Sequence, residues 1–201
     1  YTRTGSVKAA LNLLAKQAPK VVIGWSMGGQ LAVRAIAEGR IKPEKLVLIA
    51  TPFQFVHSTA LALGMGLDTF NQFRDNLQRD PARTFRKSYA LITHGDSRAA
   101  QVDAHLANSR MRLPDADWRY WLDALSSHSC HGMDVSGFPP TLLIHGEADV
   151  VVPLPHSETF MATLPDARLK TLPECGHAPH WHEQELVRNW IAQHIAPAKL
   201  A

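Results

Sequence analysis

The most constraining feature of the sequence is a strand, turn and helix pattern built around Ser26. An all-apolar run at residues 21–23 predicts a strand buried on both faces, as in a parallel sheet. It leads directly into Gly-Trp-Ser-Met-Gly-Gly at residues 24–29 and then into a helical stretch at residues 30–38, which Gly39 ends as a left-handed cap. A serine at such a sharp turn needs small neighbours, because larger side chains beside it would collide. The pattern predicts an exposed serine between a strand and a helix.

Alternating strands and helices surround this turn. Further strands are predicted where apolar residues run together, at residues 45–50, 141–145 and, more weakly, 168–172. Helices are predicted where apolar residues recur at helical spacing, at residues 7–17, 156–164 and 181–195. Ser6 is the expected N-cap of the first helix. This alternation predicts an α/β fold with a parallel sheet.

The interval at residues 52–139 interrupts the alternation, because it contains helical patterns and no convincing strand. Its predicted helices lie at residues 68–77, 81–93, 97–109 and 116–127. We therefore expect a helical cap at residues 52–139, inserted into a sheet core formed by residues 1–51 and 140–201.

Composition excludes several classes of protein. The chain has 201 residues, 45% hydrophobic and 19% charged, which is typical of one soluble globular domain. No apolar run approaches the roughly 18 residues needed to span a bilayer. Its two cysteines form no C-x-x-C pair, so a reducing cytoplasm is expected. The net charge is +3, but the basic residues are spread out and not interleaved with aromatics, so no nucleic-acid partner is expected. We also expect no membrane partner and a monomer.

Chemistry at Ser26 needs partners, because a serine hydroxyl is a weak nucleophile until a base takes its proton. Asp149 follows the predicted strand at residues 141–145, and His177 follows the one at residues 168–172. The loops after parallel strands meet at one edge of the sheet, where such proteins hold their sites. The order serine, acid, histidine predicts hydrolysis with Ser26 as nucleophile, His177 as base and Asp149 as the acid that orients it.

Two other kinds of site were weighed against this one. A glycine-rich turn before a helix also suits phosphate, but no G-K-[ST] or G-x-G-x-x-G pattern accompanies it. His177, His180 and His182 could form a metal cluster, yet the spacing H-x-x-H-x-H matches no common zinc pattern. We therefore expect neither a metal nor another cofactor.

Two nearby residues offer alternative roles. Glu147 could replace Asp149 as the acid, although the loop pattern G-x-x-D-x-x-V-P favours Asp149. Cys175 lies two residues before His177 and could suggest thiol catalysis, but no sharp turn is predicted around it. We expect Glu147 to be solvated and Cys175 to fill space.

These residues resemble the α/β-hydrolase superfamily, and within it a family of biotin-synthesis carboxylesterases that demethylate pimeloyl-[acyl-carrier protein] methyl ester. The resemblance covers about residues 13–195. It rests on G-W-S-M-G-G at residues 24–29, the loop with Asp149, G-H-A-P at residues 176–179 and the cap segment A-R-T-F-R-K-S-Y-A-L-I-T at residues 82–93. The first two features belong to the whole superfamily, whereas Trp25 and the cap segment indicate this family.

The resemblance implies that Ser26 attacks an ester carbonyl while His177 relays the proton and Asp149 orients His177. The backbone N–H of Met27 is then one donor to the oxyanion. Ser88 stands where the family has an aromatic ring. The substrate-binding residues implied are Trp25 and the cap residues Ser88, Tyr89, Ala90, Leu91 and Ile92.

The resemblance also implies an acidic partner, the acyl carrier protein, bound through Arg83 and Lys87 with Arg86 and Arg98 nearby. Residues 74–98 contain six basic side chains and three aspartates. Such an excess steers acidic partners. It is equally compatible with a solvated helix face.

In this superfamily four strands and a loop with the second oxyanion donor precede the nucleophile strand, and none is predicted here before residue 21. We therefore expect the sequence to be the C-terminal part of a longer hydrolase. The expected activity is that of a serine carboxylesterase, which releases pimeloyl-[acyl-carrier protein] and methanol. The alternatives are another esterase, lipase, lactonase or acyltransferase with the same triad, or a non-catalytic fragment that binds the carrier protein.

Overall fold

The computed structural model of the chain describes residues 4–108 and 115–197. Its strands form one parallel sheet in the order β1, β2, β3, β4. They are β1 Val21–Trp25, β2 Lys45–Ile49, β3 Thr141–Gly146 and β4 Ala167–Leu172. Gly24 lies opposite Leu48, and Leu48 opposite Leu143, so the carboxyl ends of neighbouring strands meet at one edge. The predicted α/β fold with a parallel sheet is confirmed.

The described helices follow the predicted pattern, with differences at their ends. They are α1 Val7–Gln17, α2 Met27–Ala37, α3 Leu67–Arg79, α4 Pro81–Ile92, α5 Ala99–Asn108, α6 Asp115–Ser127, α7 Pro155–Thr163, α8 Pro179–His182 and α9 Gln184–Ile195. Ser6 caps α1 as expected, because its Oγ accepts a hydrogen bond of 3.1 Å from Ala9 N–H. Gly39, with a φ of 66°, is left-handed beyond the end of α2, also as expected.

The closing helix differs from the prediction. A single helix at residues 181–195 was wrong, because the chain forms α8 and then α9 with a break at Glu183. Pro179 begins α8 at a first-turn position that suits proline. Glu183 then leaves the helical conformation, with a φ of −130° and a ψ of 71°, before α9 begins.

Helices cover both faces of the sheet. Side chains along each strand alternate between the two faces, so each strand places apolar side chains against helices on both sides. Leu46 and Leu48 of β2 pack with Leu143 of β3 against α1, α2 and α7. Val47 and Ile49 point to the opposite face and pack, with other side chains, against α9. The prediction that β1 is buried on both faces was wrong, because β1 lies at one end of this sheet and leaves Val21 37% and Ile23 52% exposed.

The helices α3, α4 and α6 pack around their own small apolar cluster, which contains Phe70, Leu77, Leu122, Phe85 and Trp118. All four predicted cap helices are present within one or two residues of their predicted bounds. Ser109, at the predicted end of the third, lies outside the described residues. Within the described part of the chain, no helix has both the length and the apolar character to cross a membrane.

Candidate active site

The turn after β1 holds Ser26 in a strained backbone conformation. Its φ of 52° and ψ of −124° are unusual for a residue with a side chain. The N–H of Ser26 still donates to Ile49 O at 2.9 Å, so the turn begins directly at the end of the sheet. A serine before a helix usually caps it, but Ser26 Oγ makes no such bond to α2. The hydroxyl therefore remains available for other partners.

Close packing explains the glycines of this turn. A Cβ on Gly24 would lie 2.4 Å from the Cα of Gly29, and a Cβ on Gly29 would lie 2.0 Å from Thr51 Oγ1. The requirement for glycine therefore extends to Gly29, one residue beyond the pattern G-x-S-x-G. Sequence reasoning overlooked Gly29, although the second glycine of the Gly-Gly pair was a visible signal.

The three residues predicted for hydrolysis form one hydrogen-bonded chain. His177 Nε2 lies 3.0 Å from Ser26 Oγ, and His177 Nδ1 lies 2.8 Å from Asp149 Oδ2. His177 is 3% exposed and Asp149 is 5% exposed. A carboxylate only accepts, so Nδ1 donates to Asp149, and Nε2 is left as the acceptor for the serine proton. This arrangement suits Ser26 for nucleophilic attack.

Asp149 is held by more donors than His177 alone. Its Oδ1 accepts hydrogen bonds of 2.9 Å from Val151 N–H and Val152 N–H, and its Oδ2 lies 3.3 Å from His145 Nε2. Burial raises the pKa of the Asp149 carboxyl, but hydrogen bonds from His145 and His177 outweigh burial and hold the pKa below its usual range. The carboxyl is therefore ionised at neutral pH, as an acid that orients an imidazole must be.

His145 was not predicted as part of the site. It is fully buried at the end of β3, and its Nε2 lies 2.6 Å from the carbonyl oxygen of Val152. A carbonyl only accepts, so Nε2 carries a proton, and Ser157 Oγ lies within hydrogen-bond distance of the other ring nitrogen, 2.7 Å from Nδ1. A histidine ending an apolar strand four residues before Asp149 was the signal for it in the sequence.

Trp25 holds the histidine loop from the side of the core. Its Nε1 donates a hydrogen bond of 2.8 Å to the carbonyl oxygen of His177, and its ring packs on His180 and Trp181. Burial lowers the pKa of His180 to about 4, so this imidazole is neutral at physiological pH.

The structure distinguishes the alternatives that the sequence left open. Glu147 is exposed, whereas Asp149 is buried beside His177. Cys175 is buried, and burial, followed by the nearby Asp96 carboxylate, raises the pKa of its thiol above the usual range. A protonated thiol is a poor nucleophile.

The three histidines of the H-x-x-H-x-H pattern do not converge. His177 bonds to Asp149 and Ser26, while His182 Nδ1 bonds to Asp96 Oδ1 at 2.7 Å. Among the described residues, the one group whose donor atoms could jointly hold a metal ion is formed by Asp96, Cys175 and His182. The donors of Asp96 and His182 are already engaged with each other.

The cap residues implied as substrate-binding lie in different surroundings. Ile92 reaches the histidine loop, because its carbonyl oxygen accepts from His177 N–H at 2.9 Å. Ser88 Oγ donates to Thr84 O of its own helix, and Ser88 and Leu91 line a groove of about 670 Å³ between α3 and α4. The described lining of this groove includes neither Ser26 nor His177. Tyr89 is half-buried and Ala90 is exposed.

A basic surface covers the outer side of α3 and α4. Five of the six basic residues noted in the sequence are exposed there, and we refer to them as the basic cap surface: Arg74, Arg79, Arg83, Arg86 and Lys87. Arg98 does not belong with them, because it forms an ion pair with Glu183 of the core. Of the three aspartates in the same interval, Asp96 is buried, whereas Asp75 and Asp80 are exposed.

The fold and the serine, histidine and aspartate arrangement define a class of protein. The sequence model of the Alpha/beta hydrolase family matches residues 1–189, and the chain belongs to this family.

Particular relatives lie within that class. The chain is 35% identical to a pimeloyl-[acyl-carrier protein] methyl ester esterase of Aromatoleum aromaticum, over 79% of this chain and 67% of that protein. It is 34% identical to a protein of the same name from Nitrosomonas europaea, over 79% of this chain and 64% of that protein. The chain therefore spans about two thirds of the length of these relatives.

Solved structures share the fold at low sequence identity. An esterase from Exiguobacterium antarcticum superposes with a TM-score of 0.82 at 17% identity, covering 96% of this chain and 75% of that chain. A bromoperoxidase from Bacillus anthracis superposes with a TM-score of 0.80 at 18% identity, covering 94% of this chain and 71% of that one. Their different activities show that this likeness concerns the fold alone.

Proposed function

We propose that this chain carries the catalytic triad of a serine carboxylesterase that hydrolyses the methyl ester of pimeloyl-[acyl-carrier protein]. The observation that carries the proposal is the hydrogen-bonded chain from Ser26 Oγ through His177 to Asp149 at the carboxyl edge of the sheet. The choice of substrate follows the relatives whose names state this activity.

The reaction follows from the positions of the three side chains. Ser26 Oγ attacks the ester carbonyl carbon while His177 Nε2 takes its proton, and Asp149 stabilises the imidazolium that forms. The tetrahedral oxyanion lies against Met27 N–H, which belongs to the first turn of α2 and has no intrahelical acceptor. On collapse, the C–O bond to the methoxy group breaks and His177 gives the proton to the methoxy oxygen, which leaves as methanol.

A water molecule completes the cycle. His177 Nε2 takes a proton from this water, whose oxygen attacks the acyl carbon bound to Ser26 Oγ. The acyl–serine bond then breaks, the proton passes to Ser26 Oγ, and the free carboxylic acid is released. Of the implied substrate residues, Trp25 and Ile92 are hydrogen-bonded to the backbone of His177.

The acidic carrier protein is proposed to dock on the basic cap surface, with Arg83 and Lys87 among its contacts. Within the described chain, none of the five side chains of this surface has an ion-pair partner. Unpaired cations on one face attract an acidic protein and speed its association. The groove between α3 and α4 lies among them, lined by Arg79, Arg83 and Lys87.

Substitution of the nucleophile tests the proposed activity. In Ser26→Ala we expect kcat for p-nitrophenyl esters and for pimeloyl-[acyl-carrier protein] methyl ester to fall by about 10⁶, because the triad acts as a unit. Fluorophosphonate should label the unmodified protein on the peptide containing Ser26. The control is Ser58→Ala, at an exposed position in the cap.

The outcomes separate the competing functions. Hydrolysis of the carrier-bound ester is read from the mass, as loss of one CH₂ unit from the acyl group. Activity on p-nitrophenyl esters alone would indicate another esterase of the same class. Binding of the carrier protein without labelling of Ser26 would indicate a non-catalytic role and overturn the proposal.

A further inference from the structure

We propose that Asp96, a buried cap residue, is a positioning residue for the reaction: its carboxylate fixes the loop that presents the His177 imidazole to Ser26. The inference rests on the proposed function and assigns a role to a residue outside the triad. It makes the geometry of the triad depend on the cap as well as on the sheet.

Asp96 lies between α4 and α5 and is 8% exposed. Its Oδ2 accepts a hydrogen bond of 2.9 Å from the N–H of Gly176, the residue directly before His177. Its Oδ1 accepts from His182 Nδ1 at 2.7 Å and from Arg98 N–H at 2.8 Å. One carboxylate therefore binds both the start of the histidine loop and the end of α8.

Backbone contacts bring the cap against the same loop. Ile92 O accepts from His177 N–H at 2.9 Å, and Glu174 O accepts from Ser97 N–H at 2.8 Å. A Cβ on Gly176 would lie 2.5 Å from Ile92 O, so the two backbones are in direct contact. A side chain at position 176 would therefore disturb this contact.

A second set of contacts holds the far end of the loop. Arg98 Nη1 donates to His182 O at 3.1 Å and also forms an ion pair with Glu183. Gln101 Nε2 donates to Trp181 O at 2.6 Å. With Asp96, these bonds attach residues 174–183 to residues 92–101 at both ends.

The position of the imidazole is critical to the chemistry. His177 Nε2 lies 3.0 Å from Ser26 Oγ, and a displacement of about 1 Å at a reacting group costs roughly 10²-fold in rate. Trp25 and Asp149 hold His177 from the core, whereas Asp96 holds its loop from the cap. Without Asp96 the loop keeps its other bonds to the cap but loses the cap side chain that binds Gly176 N–H, directly before His177.

A carboxylate suits this place because all of its hydrogen-bonding sites are acceptors, and the three groups around Asp96 are donors. In Asp96→Asn the side chain keeps its shape, but its NH₂ faces at least one N–H donor whichever way the amide is turned. The substitution therefore tests the hydrogen bonds with little change in volume.

The experiment measures the rate of fluorophosphonate labelling of Ser26 and the steady-state hydrolysis of a p-nitrophenyl ester. In Asp96→Asn we expect the labelling rate and kcat to fall by about 10- to 100-fold, with KM changed less than about threefold. Asp103→Asn, at an exposed aspartate on α5, is the matched control and should behave as the wild type.

A pair of substitutions at His182 separates positioning from general destabilisation. Asparagine places an N–H donor where Nδ1 of histidine lies, so the labelling rate and kcat of His182→Asn should stay within about threefold of the wild-type values. His182→Leu removes the donor, so its labelling rate and kcat should fall as those of Asp96→Asn do. Equal rates for the two His182 variants, or an Asp96→Asn variant with wild-type labelling, would overturn the inference.

The metal alternative is tested on the wild type. If Asp96, Cys175 and His182 bound a metal ion needed for activity, EDTA would lower the labelling rate, and that result would overturn the hydrogen-bonding role. We expect no change with EDTA. If the wild type itself neither labels nor hydrolyses the ester, the proposed function fails, an outcome distinct from failure of the role of Asp96.

Discussion

At the scale of single residues, crowding around Ser26 decides which side chains the turn accepts. The strained backbone places the hydroxyl beside His177, and Gly24 and Gly29 let β1 and α2 approach closely beneath it. Thr51, two residues after the end of the neighbouring strand β2, packs directly on Gly29. The turn is therefore held by contacts from β1, α2 and the segment after β2.

We predict that Gly29→Ala destabilises the protein by about 1–3 kcal/mol, because the added Cβ would lie 2.0 Å from Thr51 Oγ1. Urea unfolding measures the change. Gly137→Ala is the control, because a Cβ at Gly137 meets open space. Thr51→Ala in the Gly29→Ala background should restore part of the loss; a Gly29→Ala protein as stable as Gly137→Ala would contradict this account.

At the scale of elements, α4 combines a structural and a charged face. Asp80 Oδ1 accepts from Arg83 N–H at 3.0 Å and caps the helix, and Pro81 occupies its first turn. Thr84 faces inward, while Arg83 and Lys87, one turn apart, face solvent. The helix thus displays cations in a fixed orientation beside those of α3.

We predict that Arg83→Glu/Lys87→Glu weakens binding of the acyl carrier protein by about tenfold or more, because it replaces attraction with repulsion. The Kd is measured by titration calorimetry or fluorescence anisotropy. Wild-type binding should also weaken between low and moderate salt, and the variant should show a smaller salt dependence.

The matched control is Lys16→Glu/Arg188→Glu, which makes the same change in net charge on the core helices α1 and α9. It should bind the carrier protein far better than the cap variant does. Equal loss in both variants would indicate a response to net charge alone and would count against docking on the basic cap surface.

At the scale of the whole molecule, several buried histidines couple folding to pH. His156 is 2% exposed, and its Nδ1 accepts a hydrogen bond of 3.2 Å from Phe53 N–H. Burial, together with the nearby His145, lowers the pKa of His156 to about 4. The imidazole is therefore neutral in the folded protein at pH values where it is partly protonated in the unfolded chain.

The sign of the pH dependence follows from this difference. Between an unfolded pKa of about 6.5 and a folded pKa of about 4, the unfolded chain binds more protons, so stability falls as pH falls. His156 alone should remove about 2 kcal/mol between pH 7 and pH 5. His156→Asn keeps an acceptor for Phe53 N–H. In this variant the fall in the free energy of unfolding between pH 7 and pH 5, measured by urea unfolding, should be smaller by about 2 kcal/mol than in the wild type. An unchanged difference between the two pH values would refute the assignment.

The sequence by itself determined the fold class and the meeting place of the triad. Ser26, Asp149 and His177 each follow a predicted strand, and in a parallel sheet the carboxyl ends of the strands share one edge. Local chemistry also determined details such as the N-cap at Ser6 and the left-handed Gly39. These features depend on residues close together in the chain, so periodicity and turn chemistry were sufficient to predict them.

Only the tertiary structure decided which residues support the triad. In the sequence Asp96 looks like one more surface charge, but in the structure it is buried and binds Gly176, which is 80 residues later in the chain. His145 likewise lies against the Asp149 carboxylate. The break at Glu183 and the contact of Gly29 with Thr51 were also visible only in the folded structure. Each depends on a segment packing against a neighbour in space, and burial and hydrogen-bond partners exist only once that packing has formed.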